Sequence, residues 1–337
     1  MHAKGKMDVP DGLNEEYYQI SPDILQSFNK FRPPLNIFMF KEEVGRVAPF
    51  YQVGGRLTKE QIEILAEMVK EGLIFVSRSD HPVYVKHIAY QLDLVLIDRN
   101  LKEREIADIF VEALTMRLNE FFDQPIVAVK EKLWTDLMVL TEYLWNDPFR
   151  IKALAKRLHT EHSLARHSVN CGILGLAMYI RMKSDSFSKG DITRNHFNRL
   201  TAGFFLHDLG MTKIPAFIRE KPKPLTTDER TKVDKHPMVG YEMLSKLDLK
   251  YKEIEGCVLE HHERINGKGY PQKKSGREIT QLGRICAAVD SYCAMITKRA
   301  HAEALDPQKA AAVISRDQAY DPEVTKNIQA WALTLKK

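Results

Sequence analysis

Apolar positions along the chain change their period near residue 100. Before it they fall in short β-rich runs: Tyr17-Tyr18-Gln19-Ile20, Leu35 to Phe40, Phe50 to Val53, Leu73 to Val76 and Val83-Tyr84-Val85. Pro33-Pro34 and Gly54-Gly55 punctuate them as turns. One amphipathic helix interrupts the series. Thr58 caps it, Ile62, Ile64, Leu65 and Met68 line its apolar face, and Gly72 ends it. The residues up to about Glu16 read as a polar arm. From about Asn100 the apolar residues recur at helical spacing, first through Ile106, Ile109, Phe110, Ala113, Leu114 and Leu118, then from Ile126 to Leu144. Asp147-Pro148 breaks the run, and a soft boundary is expected there. The prediction is an α+β module over residues 1–145, then a nearly all-helical domain over 146–337, with the chain mostly α overall. Within the second domain, helices are expected at 151–158, 162–182, 195–206, 227–233, 237–247, 253–262, 281–298 and 307–315.

Composition narrows the class. The chain has 337 residues, 44% of them hydrophobic, enough for two domains with full cores. A net charge of +5 suits an anionic small ligand and does not call for DNA or other nucleic acid. Cys171, Cys257, Cys286 and Cys293 form no C-x-x-C pair and sit among apolar neighbours. They read as reduced, buried thiols of a cytoplasmic protein. Met1 to Met7 has no apolar core of a signal peptide, and Val169 to Ile180 is too short and interrupted to span a bilayer.

The helical half carries the candidate chemistry. His167, His207, Asp208, His236, His261, His262 and Asp290 are far apart in sequence, yet most stand at or near expected helix ends. Asp290 interrupts the apolar run Ile285 to Val289, where an unpaired carboxylate costs on the order of several kcal/mol. Imidazoles and carboxylates together suit iron, manganese or zinc, and an aspartate between two groups can bridge two ions. His87, His196 and His301 read as surface or structural histidines, and Lys221-Pro222-Lys223-Pro224 as an exposed linker.

The ordered series His207-Asp208, His236-Pro237 and His261-His262-Glu263-Arg264-Ile265-Asn266-Gly267-Lys268-Gly269-Tyr270-Pro271 resembles the HD-GYP domain, a branch of the HD superfamily of metal-dependent phosphohydrolases. The resemblance runs from about His162 to the C-terminus and includes Asp290 and the tail Tyr320-Asp321-Pro322. It implies an all-α bundle with a two-metal or three-metal site, hydrolysing cyclic di-GMP to linear pGpG or GMP. By resemblance His207, Asp208, His236, His261, His262 and Asp290 match metal ligands. His162-Ser163 and His167-Ser168 compete for the remaining histidine, and His167 keeps Cys171, Leu174 and Met178 on the family's apolar positions. Ser163 stands where some members carry a further glutamate, which implies two divalent ions, iron first, with manganese or zinc as alternatives.

The same resemblance implies that Asp208 bridges the ions, that Lys213 or His236 assists the leaving oxygen, and that Tyr270, Arg299, Lys213 and Gly269 meet the substrate. Gly267 and Gly269 permit the tight loop. Four positions differ from the family pattern: Met211 replaces a phosphate-contacting lysine, Cys293 and Asn266 replace aspartates, and Ala302 replaces a basic residue. A second reading therefore stands beside the enzyme, an inactive HD-GYP domain that senses cyclic di-GMP or docks a protein. The first module is expected to be regulatory, to bind another signalling protein, or to support a homo-oligomer.

Overall fold

The computed structural model describes residues 16–98, 101–300 and 302–335. The expected polar arm and His301 lie outside the described residues. The chain divides into two compact units, Met1–Ile109 and Phe110–Lys337.

The first unit holds β1 (Tyr17–Gln19), α1 (Pro22–Ser27), β2 (Ile37–Lys41), β3 (Arg46–Tyr51), α2 (Lys59–Met68), β4 (Ile74–Ser77) and α3 (His81–Tyr90). The strands form one antiparallel sheet in the order β1-β4-β2-β3. β4 is central, pairing Tyr18 with Val76 on one side and Phe38 with Phe75 on the other. Ile74 and Val76 are fully buried, as expected of a strand covered on both edges. α2 begins with the Thr58–Gln61 capping box, in which each side chain bonds the other's backbone N–H. Of its expected apolar face Leu65 is buried, whereas Ile64 is exposed. Val83-Tyr84-Val85 is not a strand but part of α3. Pro82 stands in its first turn, and Tyr84, Ile88 and Ala89 are its buried residues, the first two one turn apart. The Tyr84 hydroxyl donates to the Asp98 carboxylate in the unit's interior.

α4 (Glu103–Asp123) contains the division between the units, and α5 (Val127–Asn146) follows. The soft boundary near residue 145 differs from this division. α5 packs on the later helix 194–206 and buries Leu137, Leu140 and Leu144, so it belongs with the helical unit. Then come α6 (Ile151–Ala155), α7 (Leu164–Met182), α8 (Ser184–Lys189), α9 (Arg194–Leu206), α10 (Ala216–Arg219), α11 (Thr227–Val233), α12 (His236–Lys246), α13 (Lys252–Glu260), α14 (Gln281–Ile296), α15 (Pro307–Arg316) and α16 (Pro322–Ala332). The turns α8 and α10 and the C-terminal helix α16 were not expected from periodicity. α16 is capped by Asp321 and buries Val324, Ile328 and Trp331 at helical spacing.

Four helices pack in a ring, α7 on α9, α9 on α13, α13 on α14 and α14 back on α7. α7 is apolar nearly all round and buried along almost its whole length, which makes it the bundle's central rod. Beyond the ring, α12 packs on the 3-10 turn Leu209–Lys213 that follows α9. Gly210 permits that approach, because a Cβ there would lie 1.9 Å from the His236 carbonyl oxygen and 2.7 Å from the Gly240 nitrogen. Both neighbours are backbone, so neither can rotate away.

Substituting Gly210 by Ala should therefore separate the turn from α12. At a typical overpacking cost of ~1–3 kcal/mol and ~2–4 °C per kcal/mol, the melting temperature should fall by roughly 2–12 °C. An unchanged melting temperature in scanning calorimetry would show that this contact is not held so closely.

Candidate metal centre

Each ring helix delivers ligand-type side chains to one place. His167 comes from the first turn of α7, which Ser163 caps by accepting from the Arg166 N–H. His207 and Asp208 follow the last residue of α9, and His261 and His262 follow the last residue of α13. Asp290 comes from within α14, and His236 opens α12. α9 and α13 thus point their C-terminal ends at the cluster, where the partial negative charge of unpaired carbonyls favours a cation.

Two groups result. The ligand atoms of His167, Cys171, His207 and Asp290 all lie within 4.8 Å of one another, as do those of His236, His261 and His262. Asp208 spans the two. One of its oxygens lies 3.9 Å from His167 Nε2, the other 3.2 Å from His236 Nε2 and 3.8 Å from His261 Nε2. Asp290 reaches His167 Nε2 at 2.9 Å and His262 Nδ1 at 4.0 Å.

The tautomers follow from the backbone. Nδ1–H of His207 donates to Phe204 O at 2.9 Å, that of His236 to Val233 O at 2.6 Å, and that of His261 to Val258 O at 2.9 Å. Each Nε2 is left with a lone pair directed inward. His236 Nε2 and His261 Nε2 face each other at 3.0 Å, and buried His207 Nε2 has no hydrogen-bond partner. Lone pairs brought this close repel unless a proton or a cation lies between them. This donor set fits divalent metal.

Protonation points the same way. Burial holds His207 below the usual imidazole value, and burial with its histidine neighbours holds His261 well below it. Burial pushes His262 down to about 3. These rings stay neutral, as metal ligands must. Burial opposes ionisation of Asp208 and Asp290, but the hydrogen bonds from His236 to the first and from His167 to the second hold both carboxyls below their ordinary range. His236 is the exception, raised despite its burial by its hydrogen bond to Asp208.

Of the two competing histidines, His167 is the buried one at Asp290. His162 precedes α7, its ring 5.8 Å from that of His167, and lines the cleft above. Burial, aided by Arg299, pushes His162 down to about 4.

That cleft, of about 320 Å³, has Asp208, His236, His262 and Asp290 in its wall, with Met211, Tyr270 and Arg299. Tyr270 stacks on His262 with ring centres 4.6 Å apart. Gly269 lies against the chain before it, since a Cβ there would meet Glu263 Cα and His262 O at 2.5 Å. Arg299 Nη2 approaches His167 Nδ1 at 3.5 Å. Lys213 is not brought in. It ends the 3-10 turn, is exposed, and does not line the cleft, where Met211 stands instead.

Sequence reading missed the residues that hold the loop. Glu260 accepts from Lys274 Nζ at 2.6 Å and from Thr280 N at 2.8 Å, and Glu263 accepts from Gln272 N at 2.6 Å. Two buried carboxylates at the end of an apolar helix were the available signal. Arg219, Arg230 and Arg264 also line the cleft and were not singled out. Asn266 turns the loop by accepting from Lys268 N at 3.1 Å. Cys293 is buried against Cys171, and all four cysteines are buried and free. Arg299 N donates to Ala302 O at 2.9 Å.

An HD domain family model matches residues 177–324. The cyclic di-GMP phosphodiesterase response regulator RpfG of Xanthomonas campestris is 36% identical over 120 residues, 35% of this chain and 32% of that protein. The cyclic di-GMP phosphodiesterase PdeB of Borreliella burgdorferi is 28% identical over 184 residues, 53% of this chain and 44% of that protein. Over residues 177–324 the chain carries an HD domain. The HDG"Y"P protein Bd1817 of Bdellovibrio bacteriovorus superposes with a TM-score of 0.59 at 16% identity, covering 93% of this chain and 98% of that one. At that identity the likeness speaks for the fold alone. The matched stretches span a third to under half the length of the two curated relatives. His167 lies outside the matched residues of the HD domain, ten positions before they begin. No described helix is long and apolar enough to cross a membrane.

Asp208→Ala removes the carboxylate that spans both groups and should abolish stoichiometric metal binding, measured by elemental analysis of the purified protein. His167→Ala should lower metal content where His162→Ala does not. Equal content in both variants would remove His167 from the ligand set.

Proposed function

We propose that the HD-GYP domain is a metal-dependent phosphodiesterase that hydrolyses cyclic di-GMP to linear pGpG or GMP. The observation that carries this reading is Asp208, whose two oxygens reach the two ligand groups on the wall of an open cleft. The names of the curated relatives RpfG and PdeB support the substrate.

In this reading His167, His207, Asp208, His236, His261, His262 and Asp290 hold two divalent ions, iron first, then manganese or zinc. Bound there, the ions supply Lewis-acid activation of water and neutralise phosphoryl charge. The chain supplies the rest. Carbonyls on α9, α11 and α13 fix three imidazoles so that only Nε2 is offered. Burial keeps His207, His261 and His262 neutral, so no proton competes at those atoms near pH 7. Tyr270, stacked on His262, and the Gly269 backbone form one wall for a guanine or ribose. Arg299 brings positive charge to the phosphate side. Lys213 lies outside the cleft, and His236, with Nε2 given to metal and Nδ1–H held by Val233 O, keeps no proton to pass to the leaving oxygen. The first unit is the regulatory or partner-binding part.

A second reading is favoured by Met211, which gives the cleft an apolar thioether beside Asp208. In it the domain binds cyclic di-GMP without turnover. Assays with Fe(II) or Mn(II) under reducing conditions separate the two. Release of pGpG or GMP, lost in Asp208→Ala, is expected. Binding with no product under either metal would replace the enzyme with the sensor.

A further inference from the structure

A second cleft, of about 670 Å³, opens beside the first and shares Met211, Arg219, Arg230, Val233 and Arg299 with it. Apart from Asp208 and Asp290, no carboxylate lines either cleft among the described residues. The shared wall is therefore cationic, and its cations differ in how far they are already satisfied. Arg230 pairs with Asp234 at 3.2 Å, and Lys221 pairs with Glu229 at 2.6 Å. Arg264, in the first cleft alone, donates to the carbonyls of His261 and Glu263 at 3.0 and 2.9 Å and lies over the Tyr320 ring. Arg230, 63% exposed, stands mostly in solvent, and Lys221 and Arg264 are spent on structure.

Arg219 and Arg299 are not. Arg219 closes the short helix α10, and its side chain is 22% exposed. Nη1 donates to Met211 O at 3.3 Å, which ties the guanidinium to the turn that follows Asp208. Its acidic contact is the adjacent, 65% exposed Glu220 at 3.3 Å, a solvent-screened pair of small worth. Arg299 Nε is buried without a hydrogen-bond partner, and Nη2 makes one long approach to His167. Two planar forks thus retain unused N–H groups where the two clefts join.

We propose that Arg219 acts with Arg299 as a clamp for the phosphate that is not being cleaved, so that the site selects ligands with two phosphodiester groups over mononucleotides. This rests on the reading of the cluster as a phosphodiester site. One phosphate lies at the ligand groups, and the second meets the two guanidiniums. Arg219 supplies bidentate N–H donation that Met211 cannot. It is a positioning residue, since it touches the ligand away from the reacting bond.

The test uses metal-loaded full-length protein, with cyclic di-GMP and 5′-GMP as calorimetric probes and cyclic di-GMP turnover as a separate readout. Arg219→Gln should weaken cyclic di-GMP binding roughly tenfold to a hundredfold, the range of a lost charged hydrogen bond. Its 5′-GMP affinity and metal content should stay within about twofold, the error expected for a contact not made. Arg219→Lys should recover part of the loss. An unchanged cyclic di-GMP affinity in Arg219→Gln overturns the clamp, as does an equal loss for both probes. A wild-type protein that binds cyclic di-GMP through Arg219 but does not hydrolyse it keeps the clamp and loses the enzyme. Turnover with a KM indifferent to Arg219 does the reverse.

Discussion

The close backbone approach between Gly210 and His236 is the constraint on which the metal centre depends. The turn after α9 must lie almost in van der Waals overlap with the first residues of α12 for Asp208 to meet His236 at 3.2 Å. Any side chain at Gly210 would hold the two backbones apart. Asp208 would then serve one ligand group and not both. The ring of α7, α9, α13 and α14 fixes the remaining ligands by ordinary apolar packing. His236, outside that ring, is positioned by a missing Cβ.

Around this contact the electrostatics are poised for a cation. Seven ligand-type residues are gathered in a mostly buried cluster, and imidazole protons there are committed to backbone carbonyls or lost through burial. Such a cluster would be a large burden on a fold stabilised by only ~5–15 kcal/mol. Metal binding turns that burden into stabilisation, because the ion binds the folded chain alone. The buried carboxylates Glu260 and Glu263 belong to the same economy. They are paired with Lys274, Thr280 and Gln272 and fix the loop that carries Gly269 and Tyr270.

The cationic side of the cleft is built differently. Met211 occupies the cleft and Lys213 turns outward, so positive charge arrives from Arg219 on α10 and Arg299 beyond α14. Charge at a cleft can be delivered from several places in the sequence, because a long arginine reaches far from its Cα. Metal ligation is less forgiving, since ligand atoms must converge within a few Å. That difference explains why the ligand residues follow an ordered motif series while the arginines do not.

Periodicity and turn residues by themselves determined that a small α+β module precedes a helical domain, and the histidine–aspartate series determined the ligand candidates. Both are legible because the hydrophobic period and the ligand residue types are local properties of the chain. Val83-Tyr84-Val85 misled because three residues cannot distinguish a period of two from one of 3.6; Pro82 and the burial of Ile88 decided for helix. Tertiary structure alone placed His167 rather than His162 beside Asp290, put α5 with the helical unit, and withdrew Lys213 from the cleft. The same holds for Arg219 and the loop-holding role of Glu260. Each depends on which side of a helix meets another element distant in sequence, and no local pattern encodes that distance.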